Sequence, residues 1–332
     1  MKKTYKITAL ILVICMIFCA AAFGASASLP IPNEWDVCDR DLAMFALLVA
    51  RDGTDVVGSM YQQEEYNPET DRKPFFGYAD LAEFERWTLV DDTAEWSDIF
   101  KSAEFRAQTF KIDNSVVIAI RGTDGEIGEW VYNIASFIIN VHIEEKNARA
   151  YALKIADEYP DCKIYITGHS LGGYLAYFAA AELLEKRPDA KLERVVPFNA
   201  MGMDFIPLLS FKNAKTLSLL DEFSESGTNG KLVYYHINGD FGSGMGFHPG
   251  EGVFFDIAEN VRNEVLGRSA PSALEEFFWG KLAVPVMNLV VADDFAGYYQ
   301  QYGAKTVPDF LSASHDMCNF LCHLTRGTSG AK

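Results

Sequence analysis

This sequence predicts an α/β fold, with a mainly parallel central sheet and helices on both faces. Three observations lead there. Apolar and β-branched runs at Ser115–Arg121, Lys163–Thr167, Arg194–Phe198 and Leu232–Ile237 read as buried strands. Segments of helical period at Glu144–Tyr159 and Gly173–Leu184 alternate with them, and such alternation lays helices over a parallel sheet. The chain has 332 residues, 49% of them hydrophobic and 23% charged, which suffices for one large α/β domain.

Met1–Ala27 has the order of a secretory signal: Lys2, Lys3 and Lys6, then an apolar Leu10–Phe23, then Ala25-Ser26-Ala27 as a small-x-small cleavage site. The apolar run is short for a span, and Phe18 is too large for the residue before a lipidated Cys19. The expectation is an exported, released chain in which residues 28–332 form a single domain and no stable membrane span remains. Loss of the three lysines takes the formal net charge from −17 to −20. An acidic body of that kind excludes nucleic acid as a partner and is repelled by anionic membrane surfaces. The mature cysteines, Cys38, Cys162, Cys318 and Cys322, allow three pairings, and the pattern reads best as buried free thiols.

Asp39–Arg51 reads as an amphipathic helix, with Leu42, Phe45, Ala46 and Val49 on one face and Gly53 closing it. Tyr61–Lys73 is polar and turn-rich, hence a surface loop. Phe105–Ile112 and Ser115–Arg121 flank Asp113-Asn114 as a hairpin. Glu144–Tyr159 turns Ala148, Tyr151, Ala152 and Ile155 inward and stops before Pro160.

The strand Lys163–Thr167 then runs into Gly168-His169-Ser170-Leu171-Gly172 and the apolar helix beyond. Strand, tight turn and helix with serine at the apex form a nucleophile elbow. Its glycines stand where any side chain would collide with the neighbouring backbone. The serine hydroxyl is held above the sheet, and the Leu171 amide points to where an oxyanion develops. His169, inside the elbow, is expected to point away from the reacting centre and to pack.

A serine nucleophile needs a base, an orienting acid and an oxyanion hole. Asp240, in HINGDFG directly after Leu232–Ile237, has the strand-end context for the acid; Asp221 and Asp256 are alternatives that close no strand so clearly. His315, in SASHDMCNFL, is the expected base, at the first turn of a C-terminal helix capped by Ser314; His248, in GFHPGE, is the alternative base, with His323 third. Thr123, at the end of SVVIAIRGT, offers an amide and a hydroxyl as the second oxyanion donor. His315, Cys318, Cys322 and His323 match no standard zinc spacing, so neither a metal nor another cofactor is expected. Apolar Ala273–Val291 reads as a core helix, or as part of a helical cap at about 258–305 over an acyl pocket.

With these motifs the chain resembles the class 3 (fungal-type) lipase family, in its bacterial branch. VVIAIRGT at Val116–Thr123 followed by Trp130, and IYITGHSLGGYLA at Ile164–Ala176, carry the resemblance; VVPFNAMG and HINGDF are weaker matches. The resemblance implies an α/β-hydrolase fold and hydrolysis of acylglycerols or related esters. It also implies Ser170, Asp240 and a late histidine as triad, with Thr123 and Leu171 as the oxyanion hole. Two features depart from the family: a longer interval from acid to histidine, and acidic Glu126 and Glu129 near Trp130. A thioesterase or acyltransferase on the same fold, or a non-catalytic binding protein, are the alternative functions.

Overall fold

The structure is a computed structural model that describes residues 36–50, 83–93, 105–122, 134–203, 213–226, 230–259, 261–262, 277, 281, 284–288, 294–304 and 306–324. The secretory signal expected at Met1–Ala27, Thr123, Trp130, the loop expected at Tyr61–Lys73 and most of Ala273–Val291 lie outside the described residues.

Among the described residues, seven strands form one sheet whose spatial order follows the chain: β1 (Thr88–Asp92), β2 (Ala107–Ile112), β3 (Ser115–Ile120), β4 (Lys163–His169), β5 (Lys191–Phe198), β6 (Val233–Ile237) and β7 (Glu251–Phe255). β1 to β3 pair antiparallel, and β3 to β7 are parallel. The hairpin turns at Asp113, whose φ of 44° suits a short polar residue. Parallel strands need crossovers, and α2 (Ile134–Glu158), α3 (Leu171–Lys186) and α4 (Ala214–Glu225) supply three of them.

Every residue of β3 is buried. Val117 and Ala119 point into one core and Val116, Ile118 and Ile120 into the other, the period-2 alternation of a strand covered on both sides. The second core is filled by α2, α3 and α4. The first is filled by α1 (Asp39–Ala50) and by the C-terminal helices α6 (Phe295–Tyr302), α7 (Val307–His315) and α8 (Cys318–His323). In α1, Phe45 is fully buried against Phe84, Trp87 and Phe110, at ring-centroid distances of 4.8, 4.9 and 4.5 Å. Burial of such a ring contributes roughly 1.5–3 kcal/mol. Arg194 of β5, 1% exposed, pairs with Asp39 at the start of α1 at 2.7 Å, and Tyr235 of β6 donates to the same carboxylate. α1 is thereby pinned across the sheet near its own positive end.

The strands, the hairpin and the helices expected at Asp39–Arg51, Glu144–Tyr159 and Gly173–Leu184 are present; α2 begins ten residues earlier than the local pattern suggested, and β4, β5 and α3 are also longer. Two expectations are corrected. Ser314 caps no helix: it lies inside α7, with its hydroxyl on the Leu311 carbonyl oxygen, and His315 ends α7 rather than opening a terminal helix. The next helix, α8, starts where Asp316 Oδ1 accepts the Cys318 amide at 2.8 Å. None of the four described cysteines is in a disulfide, but Cys322 is exposed rather than buried, because the solvent side of the short α8 carries it. Within 258–305 the described helices are α5 (Val284–Asn288) and α6. α6 packs Phe295 on Phe310, centroids 5.1 Å apart, and approaches Phe241 at 6.4 Å, so it buttresses the turn after β6. Among the described residues no helix is long and apolar enough to cross a membrane.

Candidate active site

The elbow follows from the close approach of three backbones. A Cβ on Gly172 would sit 2.0 Å from the Ile120 carbonyl oxygen, and one on Gly168 would sit 2.4 Å from the Gly172 carbonyl carbon. Strand and helix can meet at this distance only without those side chains. Between them Ser170 is forced to φ 57° and ψ −126°, a region costing about 1–3 kcal/mol for a residue with a Cβ. Two main-chain bonds hold it: its amide donates to Phe198 O at 3.0 Å, and its carbonyl accepts from Tyr174 N at 3.1 Å. Leu171 is the first residue of α3, so its amide is one of the four with no acceptor inside the helix. Gly122, at the end of β3, comes within reach of the same turn, since a Cβ on it would lie 3.3 Å from Ser170 Cβ. Thr123, the next residue, lies outside the described residues.

Asp240 stands three residues beyond β6 and is fully buried. Its Oδ2 accepts from the Ser243 amide at 2.8 Å and the Ser243 hydroxyl at 2.5 Å. Its Oδ1 accepts from His315 Nδ1 at 2.8 Å. Burial alone would raise the Asp240 carboxyl, but the His315 imidazole and the bonds from His315 and Ser243 outweigh it and bring its pKa down to about 2. An ionised carboxylate only accepts, so Nδ1 of His315 carries a proton; in the neutral ring Nε2 then presents a lone pair. That Nε2 is buried and has no hydrogen-bond partner among the described residues. Ser170 Oγ and His315 Nε2 are not hydrogen-bonded to each other; in unliganded enzymes such contacts are often long and tighten with substrate.

His315 reaches this place because three side chains complete the end of α7. The last carbonyls of a helix lack intrahelical donors. Here Ala313 O accepts from Asn319 Nδ2 at 2.7 Å, Ser314 O from Asn199 Nδ2 at 2.9 Å, and His315 O from His169 Nε2 at 2.8 Å. His169 and Asn199 end β4 and begin the loop after β5, so α7 is docked onto the carboxyl ends of the parallel strands, where such sheets carry their sites. The expected outward packing of His169 is therefore corrected. Its ring faces His315, centroids 4.5 Å apart, because the elbow turns it toward α7. Burial, then neighbouring His315, push its pKa down to about 3, which suits a neutral ring donating through Nε2.

The alternative base, His248, has both ring nitrogens engaged: Nε2 meets Ser243 O at 2.8 Å and Nδ1 meets Tyr177 Oη at 3.2 Å. Its ring stacks on Tyr234 at 4.6 Å. His323 stacks on Phe255 and bonds Asp256 O, away from Asp240. Asp221 lies on α4, and Asp256 is exposed and accepts from Asn238, so neither alternative acid meets a site histidine. Sequence reasoning missed Asn199 and Ser243. The available signal for Asn199 was an asparagine just past a strand, where a positive φ is tolerated.

A mainly parallel sheet with helices on both faces and a serine elbow after a central strand make this an α/β-hydrolase fold. The Mbeg1-like family profile matches residues 83–212. No curated protein matches the chain. Among solved structures it is similar to the Lip2 lipase of Yarrowia lipolytica, at 17% identity and a TM-score of 0.41, over 65% of this chain and 77% of that one. It is also similar to a lipase of Rhizopus microsporus var. chinensis, at 14% identity and a TM-score of 0.40, over 71% and 85% of the two chains. A triacylglycerol lipase of Penicillium expansum is similar at 15% identity and a TM-score of 0.34, over 53% and 72%.

Proposed function

We propose that this protein is a serine hydrolase cleaving carboxylic esters, of lipase or esterase type, through an acyl-enzyme. Ser170 Oγ attacks the ester carbonyl while His315 Nε2 takes its proton. The imidazolium then protonates the leaving alkoxide, which departs as the alcohol. Asp240 holds Nδ1–H and balances the transient positive charge. The Leu171 amide and Thr123 receive the oxyanion, each donor lowering the barrier by roughly 2.7–4 kcal/mol. Water, deprotonated by the same imidazole, releases the acid and restores the serine.

One observation carries this reading. A histidine bound through Nδ1 to a buried carboxylate keeps Nε2 unpartnered, with its own carbonyl bonded to the residue that precedes the elbow serine. A buried basic nitrogen without a partner is costly in a scaffold and useful in a base. The secretory pattern at Met1–Ala27 supports a reaction outside the cell, on an ester or lipid substrate. A fluorophosphonate probe tests the proposal. It should label the wild-type chain at Ser170 and leave Ser170→Ala unlabelled, with p-nitrophenyl ester turnover lost in that variant and circular dichroism unchanged. An unlabelled wild type, or a fully active Ser170→Ala, would overturn it.

A further inference from the structure

We infer that Asn199 is a positioning residue that sets both partners of Ser170, the His315 imidazole and the Asp240 carboxylate; the inference rests on the hydrolase reading above. Asn199 follows β5 directly and is fully buried. Its amide group is oriented without ambiguity, because one end faces a donor and the other an acceptor. Oδ1 accepts from the Ile237 amide at 2.9 Å, and Nδ2 donates to the Ser314 carbonyl oxygen at 2.9 Å.

Each bond grips one arm of the site. Ile237 ends β6, and its carbonyl oxygen accepts from the Asp240 amide at 2.9 Å, so Oδ1 fixes the turn that carries the acid. Ser314 is the residue before His315, so Nδ2 fixes the peptide that carries the base. Oδ1 also lies 3.4 Å from the Ser243 hydroxyl, whose proton goes to Asp240. The main chain is tied as well: Asn199 N donates to Tyr235 O at 2.8 Å. β5 is thus bonded to β6 at its carboxyl end.

The backbone at Asn199 is left-handed, with φ 40°. Were that conformation the whole requirement, glycine would serve at least as well, since it adopts positive φ without cost. The side-chain bonds make the opposite demand, because a buried carbonyl and a buried amide each lose their partner when the side chain is removed. The two accounts therefore predict opposite outcomes for one substitution.

The test uses the full chain, with Asn199→Gly and Asn199→Asp beside wild type. Asn199→Gly keeps the backbone and deletes the amide. Asn199→Asp keeps the shape and the acceptor for Ile237 N, and removes the donor to Ser314 O. Three quantities are read: thermal unfolding by circular dichroism, kcat and KM on p-nitrophenyl butyrate, and the downfield proton resonance of His315 Nδ1–H, assigned by its loss in Asp240→Asn. Both variants should fold, with kcat lowered about 10²-fold, as for a misplacement of about 1 Å, while KM stays within about threefold. The resonance should shift or broaden in both. A folded variant with wild-type kcat and an unchanged resonance overturns the inference. So does failure of both variants to fold, since Asn199 would then serve the scaffold as a whole. A wild type that turned over no ester would remove the hydrolase reading alone. The resonance would still decide the inference, a shift in the variants supporting it and an unchanged position overturning it.

Discussion

His169 and His315 face each other with ring centroids 4.5 Å apart, and His169 Nε2 donates to the carbonyl oxygen of His315 at 2.8 Å. The residue before the elbow serine thus holds the main chain of the residue that bears the free imidazole nitrogen. His169→Phe retains a ring and loses the donor. A net hydrogen bond is worth about 0.5–1.5 kcal/mol, so kcat is expected to fall up to about tenfold with KM little changed. Steady-state kinetics check this, and an unaltered kcat would show that the carbonyl bond contributes nothing to placing the base.

The same pair makes stability depend on pH. His169 has its pKa lowered from 6.5 to about 3, so the unfolded chain binds a proton more readily than the folded one. Its contribution is present in full above pH 6.5 and is lost as pH falls toward about 3. Asp240, lowered from 3.8 to about 2, contributes above pH 3.8 and loses that contribution as pH falls toward about 2. Melting temperature should therefore decline on acidification below about pH 6.5 and more steeply below about pH 4. In His169→Phe the upper part of that decline should disappear; its persistence would assign the loss to other groups.

Replacement of the two competing histidines separates base from scaffold. His315→Ala removes the nitrogen bonded to Asp240 and should lower ester turnover by roughly 10⁴-fold or more. His248→Ala removes a ring stacked on Tyr234 and edge-on to Tyr177, and should leave kcat within about tenfold of wild type, with some loss of stability. Comparable losses in both variants would return the assignment of the base to an open choice.

The elbow tolerates no added atom on its glycines. Gly172→Ala would drive a Cβ to 2.0 Å from the Ile120 carbonyl oxygen, a backbone atom that cannot swing aside. The substitution should cost about 3 kcal/mol or more and abolish labelling of Ser170 by a fluorophosphonate. Urea unfolding gives the first quantity and labelling the second.

Away from the site, Arg194→Leu leaves the partly buried Asp39 carboxylate without its guanidinium. Loss of one partner from a buried ion pair typically costs about 3–5 kcal/mol. The variant should be destabilised by that order while the kcat of its folded fraction stays at the wild-type value, which urea unfolding and active-site titration together would establish. The double change Asp39→Leu with Arg194→Leu should recover part of the loss, because no unpaired charge then remains.

Local chemistry made much of this molecule legible in its residues. Glycines at 168 and 172 specify the elbow because only they fit against β3 and within the turn. The all-apolar run of β3 specifies a strand covered on both faces, since period 2 leaves neither side for water. Asp240 was legible as well, placed by a strand end and a glycine turn immediately before it. Sequence could rank His315 ahead of His248 but go no further, because what faces each ring comes from distant segments. Nor could the pattern reveal that Ser314 lies inside a helix, that His169 turns inward, or that Asn199 ties the two arms of the site together. Those facts depend on the docking of α7 against the ends of β4 and β5, contacts between segments more than a hundred residues apart in the chain. Spacing along a sequence fixes backbone shape over a turn or two, whereas partners for buried nitrogen and oxygen atoms exist only once the helices have closed over the sheet.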